Sequence, residues 1–268
     1  MGQYDNIEVA AEGPVVSLRL NRPAKMNPLD WATVKELLSA LDSIENDPAV
    51  EIVVITGNGK AFSAGGDLEK YIHLYANPGE FKAFLGDFYV LLDRIERSER
   101  IFVAAINGVC VAGGLELMLA CDAVIVAAEA KIADGHLNFG QLPGAGGSQR
   151  LPRAIGVLRA KELILSGRFI SGEEAHAMGL ASLLAPRGRL HETVHAFTAD
   201  LLKKSHAGRR GAKFLVNEGR KGSLDSGLRL EMDYVLDYAT THPDATEGLM
   251  AFREGRAPRF RPPSDDER

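Results

Sequence analysis

Cysteine is scarce in this chain of 268 residues, which contains only Cys110 and Cys121. Both lie in apolar surroundings, as buried free thiols usually do. Two such cysteines do not make the disulfide framework of a secreted protein, so a reducing cytoplasm is the expected location. Residues 1–6 also lack the basic and apolar regions of a secretory signal, which points the same way.

Long apolar runs and basic clusters are also missing. The longest apolar candidates, near residues 52–55 and 122–128, are far shorter than the ~18 residues that a membrane-spanning helix needs. The net charge is −5, and no basic run interleaved with aromatic residues occurs. The sequence therefore predicts neither a membrane span nor a nucleic-acid partner. His191 and His195 have helical spacing, but no third ligand is evident, so no metal site is predicted.

The periodicity of the apolar residues indicates an α/β protein. Alternation predicts a β-hairpin over residues 6–11 and 15–20, and Asp30 is a suitable N-cap for a helix that runs to about Asn46. Further elements are predicted as strands at 51–56, 101–106, 123–128 and 131–133, and as helices at 81–99 and from about Gly113. This repeated order of strand, strand and helix predicts an α/β core.

The pattern changes after about residue 190. Four helices without intervening strands are predicted at 190–204, 211–221, 224–239 and 244–254. We therefore expect an α/β core with the active site over residues 1–190, a helical region over 191–260 that mediates oligomerisation, and a disordered polar tail over 261–268. Apolar positions such as Leu224 and Leu228 predict that the late helices pack on the core or on another subunit.

Two strand-like apolar runs each end in small residues before a helix. The first reads Lys60-Ala61-Phe62-Ser63-Ala64-Gly65-Gly66-Asp67-Leu68, and the second contains Val109-Cys110-Val111-Ala112-Gly113-Gly114-Leu115-Glu116. Small residues let backbone N–H groups approach a ligand oxygen, so two facing turns would form an oxyanion hole with two donors. Glu116 would follow one turn into the helix, where its carboxylate can reach the same ligand. Either turn alone is equally compatible with an ordinary glycine turn.

Together the two turns and four other segments resemble the enoyl-CoA hydratase/isomerase family, also called the crotonase superfamily. The other segments are Leu20-Asn21-Arg22-Pro23 and its continuation to Leu29, Ala120-Cys121-Asp122, residues 139–151 and residues 252–256. They occur in the order of the family and extend from about residue 5 to 260. The resemblance implies a crotonase-like spiral of ββα turns with a C-terminal helical region.

The resemblance also implies roles for four residues. The backbone N–H groups of Gly66 and Gly113 correspond to the oxyanion donors, and Glu116 corresponds to one of the two glutamates that act as acid and base in family hydratases. The second of these glutamates is replaced by His136, in the sequence Asp134-Gly135-His136. A histidine can transfer a proton near pH 7, or it can serve only in binding or packing. Asp134 is a candidate to orient it.

For the remainder of the ligand, the resemblance implies coenzyme A, carried as the thioester substrate, with no separate cofactor. Arg22 and Lys25 are candidates for the phosphates or pantetheine, and the backbone near Ala61, Phe62 and Ala64 for the adenine; Asp67 adjoins this group. Phe252 would help to close the site. The family's C-terminal lysine is replaced by Gly255, which stands between Arg253 and Arg256.

Three functions remain open on the sequence. The first is a lyase that adds water to a 2-enoyl-CoA, as in fatty acid metabolism. The second is another crotonase-type reaction on an acyl-CoA or a β-diketone, such as C–C hydrolysis, decarboxylation or isomerisation. The third is a catalytically silent acyl-CoA binder, although the presence of Glu116 argues against it. By resemblance, the expected assembly is a homotrimer or a dimer of trimers.

Overall fold

The first elements of the chain form a hairpin and a capped helix, as predicted. The structure, a computed structural model, describes residues 3–261. Strands β1 (Ile7–Glu12) and β2 (Val15–Leu20) pair antiparallel. A short 3-10 helix (Pro23–Lys25) leads to α1 (Trp31–Glu45), and the N-cap residue Asp30 accepts a hydrogen bond of 3.0 Å from the backbone N–H of Thr33. This bond satisfies one of the donors that the first helical turn leaves unpaired.

The strands of the described residues form two sheets. The later strands are β3 (Ile52–Gly57), β4 (Ala61–Ser63), β5 (Ile101–Ile106), β6 (Val109–Val111), β7 (Ala123–Ala127), β8 (Lys131–Ala133), β9 (Ile170–Ser171) and β10 (Leu183–Ala185). One sheet has the order β1-β2-β3-β5-β7-β10, and the other has the order β4-β6-β8-β9. In each of the pairs β3/β4, β5/β6 and β7/β8, the first strand lies in the larger sheet and the second in the smaller one. Within each sheet these strands pair parallel with one another. The chain therefore advances as the expected spiral of ββα turns.

Helices follow or connect these strand pairs. They are α2 (Leu68–Ala76), α3 (Pro78–Arg97), α4 (Gly113–Leu119), a second 3-10 helix (His136–Phe139), α5 (Gly147–Ile155), α6 (Val157–Ser166) and α7 (Gly172–Ala177). The helix predicted over 81–99 begins earlier, because Pro78 occupies the first turn, where its missing N–H costs nothing. The sequence had not predicted α2, in which Leu74 is the buried residue.

The large sheet is covered on both faces. Along β3, Val53 and Ile55 belong to the larger core, whereas Ile52 and Val54 face a second core on the opposite side. Because successive side chains of a strand point to opposite faces, a strand buried on both sides must be apolar throughout. This explains why the inner strands appear in the sequence as continuous apolar runs.

The C-terminal region is helical from residue 190, as predicted. Its helices are α8 (Leu190–Leu202), α9 (His206–Gly219), α10 (Leu224–Thr241) and α11 (Pro243–Glu254). Helix α8 packs on the second face of the large sheet through Val194 and Phe197. Helix α9 is joined to the core by Lys213, whose Nζ lies 2.8 Å from Asp122 Oδ2. The division into domains at residue 190 stays a prediction.

The last described residue, Arg261, is bound to α11. Arg261 donates its backbone N–H to Asp244 Oδ1 at 3.0 Å, and the remainder of the predicted tail lies outside the described residues. Within residues 3–261, no helix is both long enough and apolar enough to cross a membrane.

Candidate active site

The two glycine turns meet at one edge of the smaller sheet. They follow β4 and β6, which are parallel neighbours, so both chains turn at the same side. A side chain at Gly65, where φ is +91°, would bring its Cβ to 2.9 Å from Ala112 Cβ and 3.5 Å from Gly113 N. Gly114 lies equally close to the first turn, since a Cβ there would be 2.7 Å from the carbonyl oxygen of Ser63. Only glycine permits this approach of the two backbones.

The backbone N–H groups of Gly66 and Gly113 remain available at this junction. Within residues 3–261, neither N–H donates to a protein acceptor. Gly113 is the first residue of α4, where helical N–H groups have no partner inside the helix. The preceding Ala112 has φ +51°, a conformation that a residue with a side chain rarely adopts. The structure thus brings together the two glycines that the sequence analysis had selected.

Glu116 lies one turn further along α4 and is only 2% exposed. Its Oε1 accepts hydrogen bonds of 2.8 Å from the N–H groups of Ala145 and Gly147. Burial raises the pKa of the Glu116 carboxyl group, and this outweighs the opposite effects of the Gly147 bond, the His136 charge and the Ala145 bond. The carboxylate is therefore held in position by one oxygen, while its pKa is moved towards the range useful for proton transfer.

An arginine on α5 holds the loop that binds Glu116. Arg150 Nη1 donates to the carbonyl oxygen of Ala145 at 2.8 Å. Its Nε and Nη2 donate to the two carboxylate oxygens of Glu96 at 3.0 and 2.8 Å. Asn217 of α9 in turn donates to the Glu96 carbonyl oxygen at 2.9 Å. A continuous series of hydrogen bonds therefore connects Glu116 with the C-terminal helices.

His136 faces the second oxygen of Glu116. Its Nε2 lies 3.9 Å from Glu116 Oε2, and its Nδ1 lies 3.1 Å from Asp134 Oδ1. Asp134 is completely buried, and its Oδ2 has no hydrogen-bond partner among the described residues. Asp134 and His136 do not lie on one strand, because β8 ends at Ala133 and Gly135 turns the chain with φ +69°. The imidazole of His136 therefore lies between the carboxyl groups of Asp134 and Glu116, and the three side chains form a line of titratable groups.

Two cavities adjoin this line. A cavity of about 460 Å³ is lined by Lys25, Met26, Pro28, Ala64, Gly66, Asp67, Leu68, Glu69, Tyr71, Val111, Ala112, Gly135, His136, Phe139 and Gln141. A much smaller one of about 30 Å³ is lined by Glu116, His136, Gln141, Leu142, Gly144, Ala145 and a largely aromatic group of Tyr71, Tyr75, Phe81, Phe84, Leu85 and Phe88. His136 lines both, so its imidazole stands between the large cavity and the small one.

Only some of the candidates for coenzyme A binding line the large cavity. Lys25, Ala64 and Asp67 line the large cavity. Arg22 is engaged beside it, with Nη1 2.5 Å from Asp30 Oδ2 and Nη2 3.4 Å from Asp67 Oδ2.

Three other candidates do not reach the cavity. Ala61 and Phe62 are buried in β4, and the carbonyl oxygen of Ala61 accepts a hydrogen bond from the amide of Asn27. Phe252 is 89% exposed on α11 and lines neither cavity in the part of the chain that the structure describes. Closure of the site by Phe252 is therefore not seen within a single copy of the chain.

Sequence reasoning missed the contributions of Tyr71 and Arg150 to the site. Arg150 was within a recognised segment, but its contact with Ala145 spans a turn that spacing alone does not reveal. Tyr71 and Tyr75 are four residues apart, the spacing of one helical face, and this was the available signal. No group of three or more metal-binding side chains occurs within residues 3–261.

Comparison with known proteins shows the family of the chain. The profile of the enoyl-CoA hydratase/isomerase family matches residues 10–263. A probable enoyl-CoA hydratase of Mycobacterium bovis is 36% identical over 258 residues, covering 96% of this chain and 98% of that protein. A crotonyl-CoA hydratase of Syntrophomonas wolfei is also 36% identical, with the same coverage.

A solved structure shares the fold. The crystal structure of an enoyl-CoA hydratase from Bacillus anthracis superimposes with a TM-score of 0.89 at 36% identity, covering 96% of this chain and 99% of that one. The chain belongs to the enoyl-CoA hydratase/isomerase family and has the crotonase fold. It is an enzyme of that family.

Proposed function

We propose that this protein is a hydro-lyase that adds water to a 2-enoyl-CoA thioester and forms a 3-hydroxyacyl-CoA, or catalyses the reverse reaction. The observation that carries the proposal is the position of Glu116. One carboxylate oxygen is fixed by two backbone N–H groups, and the other faces His136, on the helix that begins with the proposed donor Gly113. The names of the relatives, which are hydratases at 33–37% identity, support the same class.

In the hydration step, Glu116 acts as the general base. The water oxygen bonds to C3 of the enoyl group, and one water proton passes to Glu116 Oε2. The electron pair of the C2–C3 double bond moves to the thioester oxygen, which becomes an enolate oxygen. The N–H groups of Gly66 and Gly113 stabilise this oxyanion, and one such donor typically contributes about 2.7–4 kcal/mol.

His136 then completes the addition as the general acid. C2 takes a proton from Nε2 of the imidazolium, while the enolate returns to a thioester carbonyl. The cycle closes when Glu116 Oε2 gives its proton back to His136 Nε2, which lies 3.9 Å away. Asp134 orients the ring through its contact with Nδ1 at 3.1 Å. A histidine can thus replace the second glutamate of the family without a change in the net reaction.

Coenzyme A would enter through the large cavity. Lys25 stands at its rim with a side chain that is 56% exposed and 3.7 Å from Asp67 Oδ2. An exposed ammonium group at this place suits a phosphate or pantetheine group of the substrate. In this proposal coenzyme A arrives as the substrate thioester, and no separate cofactor takes part.

A second candidate function rests on the pair formed by Asp134 and His136. A buried carboxylate in contact with Nδ1 orients an imidazole as a general base, and this arrangement suits the attack of water on a carbonyl carbon. Hydrolysis of a C–C bond in a β-diketone is therefore the alternative within the same family. In that reaction the carbanion that leaves would be held as an enolate by Gly66 and Gly113.

A substrate screen distinguishes the two functions. Purified protein is incubated with a panel of 2-enoyl-CoA esters and of β-diketones, and the loss of conjugated-thioester absorbance is followed together with product masses. Hydration predicts products heavier than the enoyl-CoA by one water. Two smaller fragments from a β-diketone, with no hydrated enoyl-CoA, would refute the hydratase proposal.

We also propose that the protein assembles as a homotrimer or a dimer of trimers in the cytoplasm. Support comes from α10, where apolar side chains are left uncovered in the single chain: Leu224, Leu228, Met232, Val235 and Leu236. A contiguous apolar surface of this kind is typical of subunit interfaces. Light scattering that detects only a monomer at micromolar concentration would contradict the assembly.

A further inference from the structure

Glu96 of α3 stands outside the site but is connected with it. It lines neither of the two cavities beside His136, and instead lines a separate cavity of about 530 Å³ whose walls come from α3, α9 and α10. The proposed reaction gives this carboxylate no task. Any effect of Glu96 on the reaction must therefore pass through another residue.

The segment through which it can act is the loop of residues 145–147, the Ala145 loop. Gly147 is the first residue of α5, where backbone N–H groups have no partner inside the helix. Glu116 Oε1 accepts from this N–H and from that of Ala145, each at 2.8 Å. Because both bonds go to one oxygen, the position of the Ala145 loop determines the position of the carboxylate.

Arg150 holds the Ala145 loop from the other side. A Cβ atom at Gly146 would fall 2.1 Å from Arg150 Nη1, so the guanidinium group lies against the backbone between the two donors. The same Nη1 donates to the Ala145 carbonyl oxygen at 2.8 Å. Glu96 accepts from the two remaining nitrogens, and the side chains of this pair are only 13% and 22% exposed. A bidentate pair of this kind fixes the orientation of the guanidinium plane.

Helix α9 fixes Glu96 in turn. Ile95 and Glu96 belong to the last turn of α3, where backbone carbonyl groups have no partner inside the helix. Lys213 Nζ donates to the carbonyl oxygen of Ile95 and Asn217 Nδ2 to that of Glu96, both at 2.9 Å. Arg220 Nη2 also lies 3.4 Å from Glu96 Oε1. The end of α3 is thus bound by side chains of the C-terminal helical region.

We infer that Glu96 is a positioning residue of the active site. Through Arg150 it sets the place of the Ala145 loop and of the Glu116 carboxylate, and α9 holds it in place. A displacement of about 1 Å at a reacting group can cost about 10²-fold in rate, so a partial loosening of this loop matters. The inference rests on the proposed role of Glu116 as the general base.

The test begins with Glu96→Ala and Glu96→Gln. Glu96→Ala should lower kcat about tenfold, because the guanidinium group is no longer held against the loop. KM should stay within about twofold of the native value, since Glu96 does not touch the substrate. Glu96→Gln keeps the volume and one acceptor, so it should lose about threefold in kcat and carries the test if Glu96→Ala does not fold. Folded variants of both kinds with native kcat would overturn the inference.

A double-mutant cycle shows whether Glu96 acts through Arg150. Arg150→Met removes the guanidinium group and keeps an apolar stem, and it should lower kcat at least as far as Glu96→Ala. Adding Glu96→Ala to Arg150→Met should cause no further loss, because residues of one network are not additive. Two losses that simply multiply would exclude action through Arg150.

Glu45→Ala is the matched control. Glu45 accepts from Arg94, also on α3, with Nη2 at 2.7 Å and Nε at 3.4 Å, which is the same kind of pair on the same helix. This pair has no contact with the Ala145 loop. Its loss should leave both kcat and KM unchanged, and a tenfold lower kcat in Glu45→Ala would make the effect of Glu96 a general one on stability.

Hydrogen exchange separates the inference from the proposed reaction. In Glu96→Ala, the backbone amides of residues 145–147 should exchange at least about tenfold faster than in the native protein, and in Glu45→Ala they should not. If no ester is hydrated but this exchange accelerates, the hold on the loop is supported and the hydratase function fails. If esters are hydrated while exchange and kcat stay native in the Glu96 variants, the inference fails and the hydratase function stands. Faster exchange with a native kcat would reduce Glu96 to a structural residue.

Discussion

Replacement of Glu116 by glutamine separates the chemistry of this carboxylate from its packing. The amide has nearly the same volume, and its oxygen can still accept the bonds that Ala145 and Gly147 donate at 2.8 Å. The variant loses only the ability to take a proton from water, and transfer by a positioned side chain typically contributes about 10²–10⁴-fold to the rate. We expect kcat to fall by about this factor while the affinity for acyl-CoA is retained.

The same substitution should stabilise the folded protein. Burial raises the pKa of the Glu116 carboxyl group above its ordinary value of 4.5. A carboxyl group with a higher pKa in the folded state stabilises that state only below the pKa of the unfolded chain, and this contribution is lost as pH rises through the folded pKa. Since glutamine does not ionise, the melting temperature of Glu116→Gln relative to the native protein should increase as pH rises above 4.5.

Two measurements test this reasoning. The rate is followed by the loss of conjugated-thioester absorbance, and thermal unfolding is recorded at about pH 5 and pH 8. Glu12→Gln, at an exposed position at the end of β1, controls for the removal of a charge and should change neither quantity. The reasoning would be refuted by a kcat within about threefold of the native value, or by a variant that is less stable at both pH values.

Three further perturbations follow from the contacts around the site. Gly113→Pro removes the N–H donor at a helical position where proline is tolerated, and should lower kcat at least about 10²-fold; Gly113→Ala keeps the donor, places its Cβ no closer than 3.4 Å to any neighbour, and should lose much less. A folded Gly113→Pro variant as active as Gly113→Ala would exclude the oxyanion role. Arg150→Lys should reduce kcat about tenfold and move the acid limb of the pH profile upwards, because weaker bonds from the Ala145 loop no longer lower the pKa of Glu116; the exposed Arg153→Lys on the same helix should do neither. His136→Ala should lower kcat, because the group that gives C2 its proton is removed, and an unchanged kcat would make His136 a structural residue.

The elements that periodicity predicts well are those with one clear burial pattern. The hairpin alternates, α1 has a capping aspartate and one apolar face, and the inner strands are apolar because both faces of the sheet are covered. Helix α2 was not predicted, since its apolar residues Leu68, Ile72 and Tyr75 are all at least 47% exposed and mark no buried stripe. Its position depends on contacts with α3 and the glycine turn, which are tertiary.

In the candidate site, too, residues in segments with a local sequence signal were recognised, whereas residues placed by tertiary contacts were missed. The two glycine turns have local signatures in the sequence, and the resemblance to the family assigned Gly66, Gly113 and Glu116 within them. The parallel pairing of β4 and β6 brings the two turns together. Phe252, which was selected only by resemblance, lies exposed on α11. Tyr71 was not selected, because its ring contacts Gly66 from a neighbouring helix and this contact is not visible in the sequence.

The tight contact of the two glycine turns has an evolutionary consequence. The approach of Gly114 to the Ser63 carbonyl oxygen, and of Gly108 to that of Lys60, leaves no room for any side chain, so mutations there are lost with the fold itself. Helix α2 presents Ile72 and Tyr75 largely to solvent, where a changed side chain meets no such contact. The two turns are therefore expected to accept fewer substitutions than the exposed face of α2 beside them.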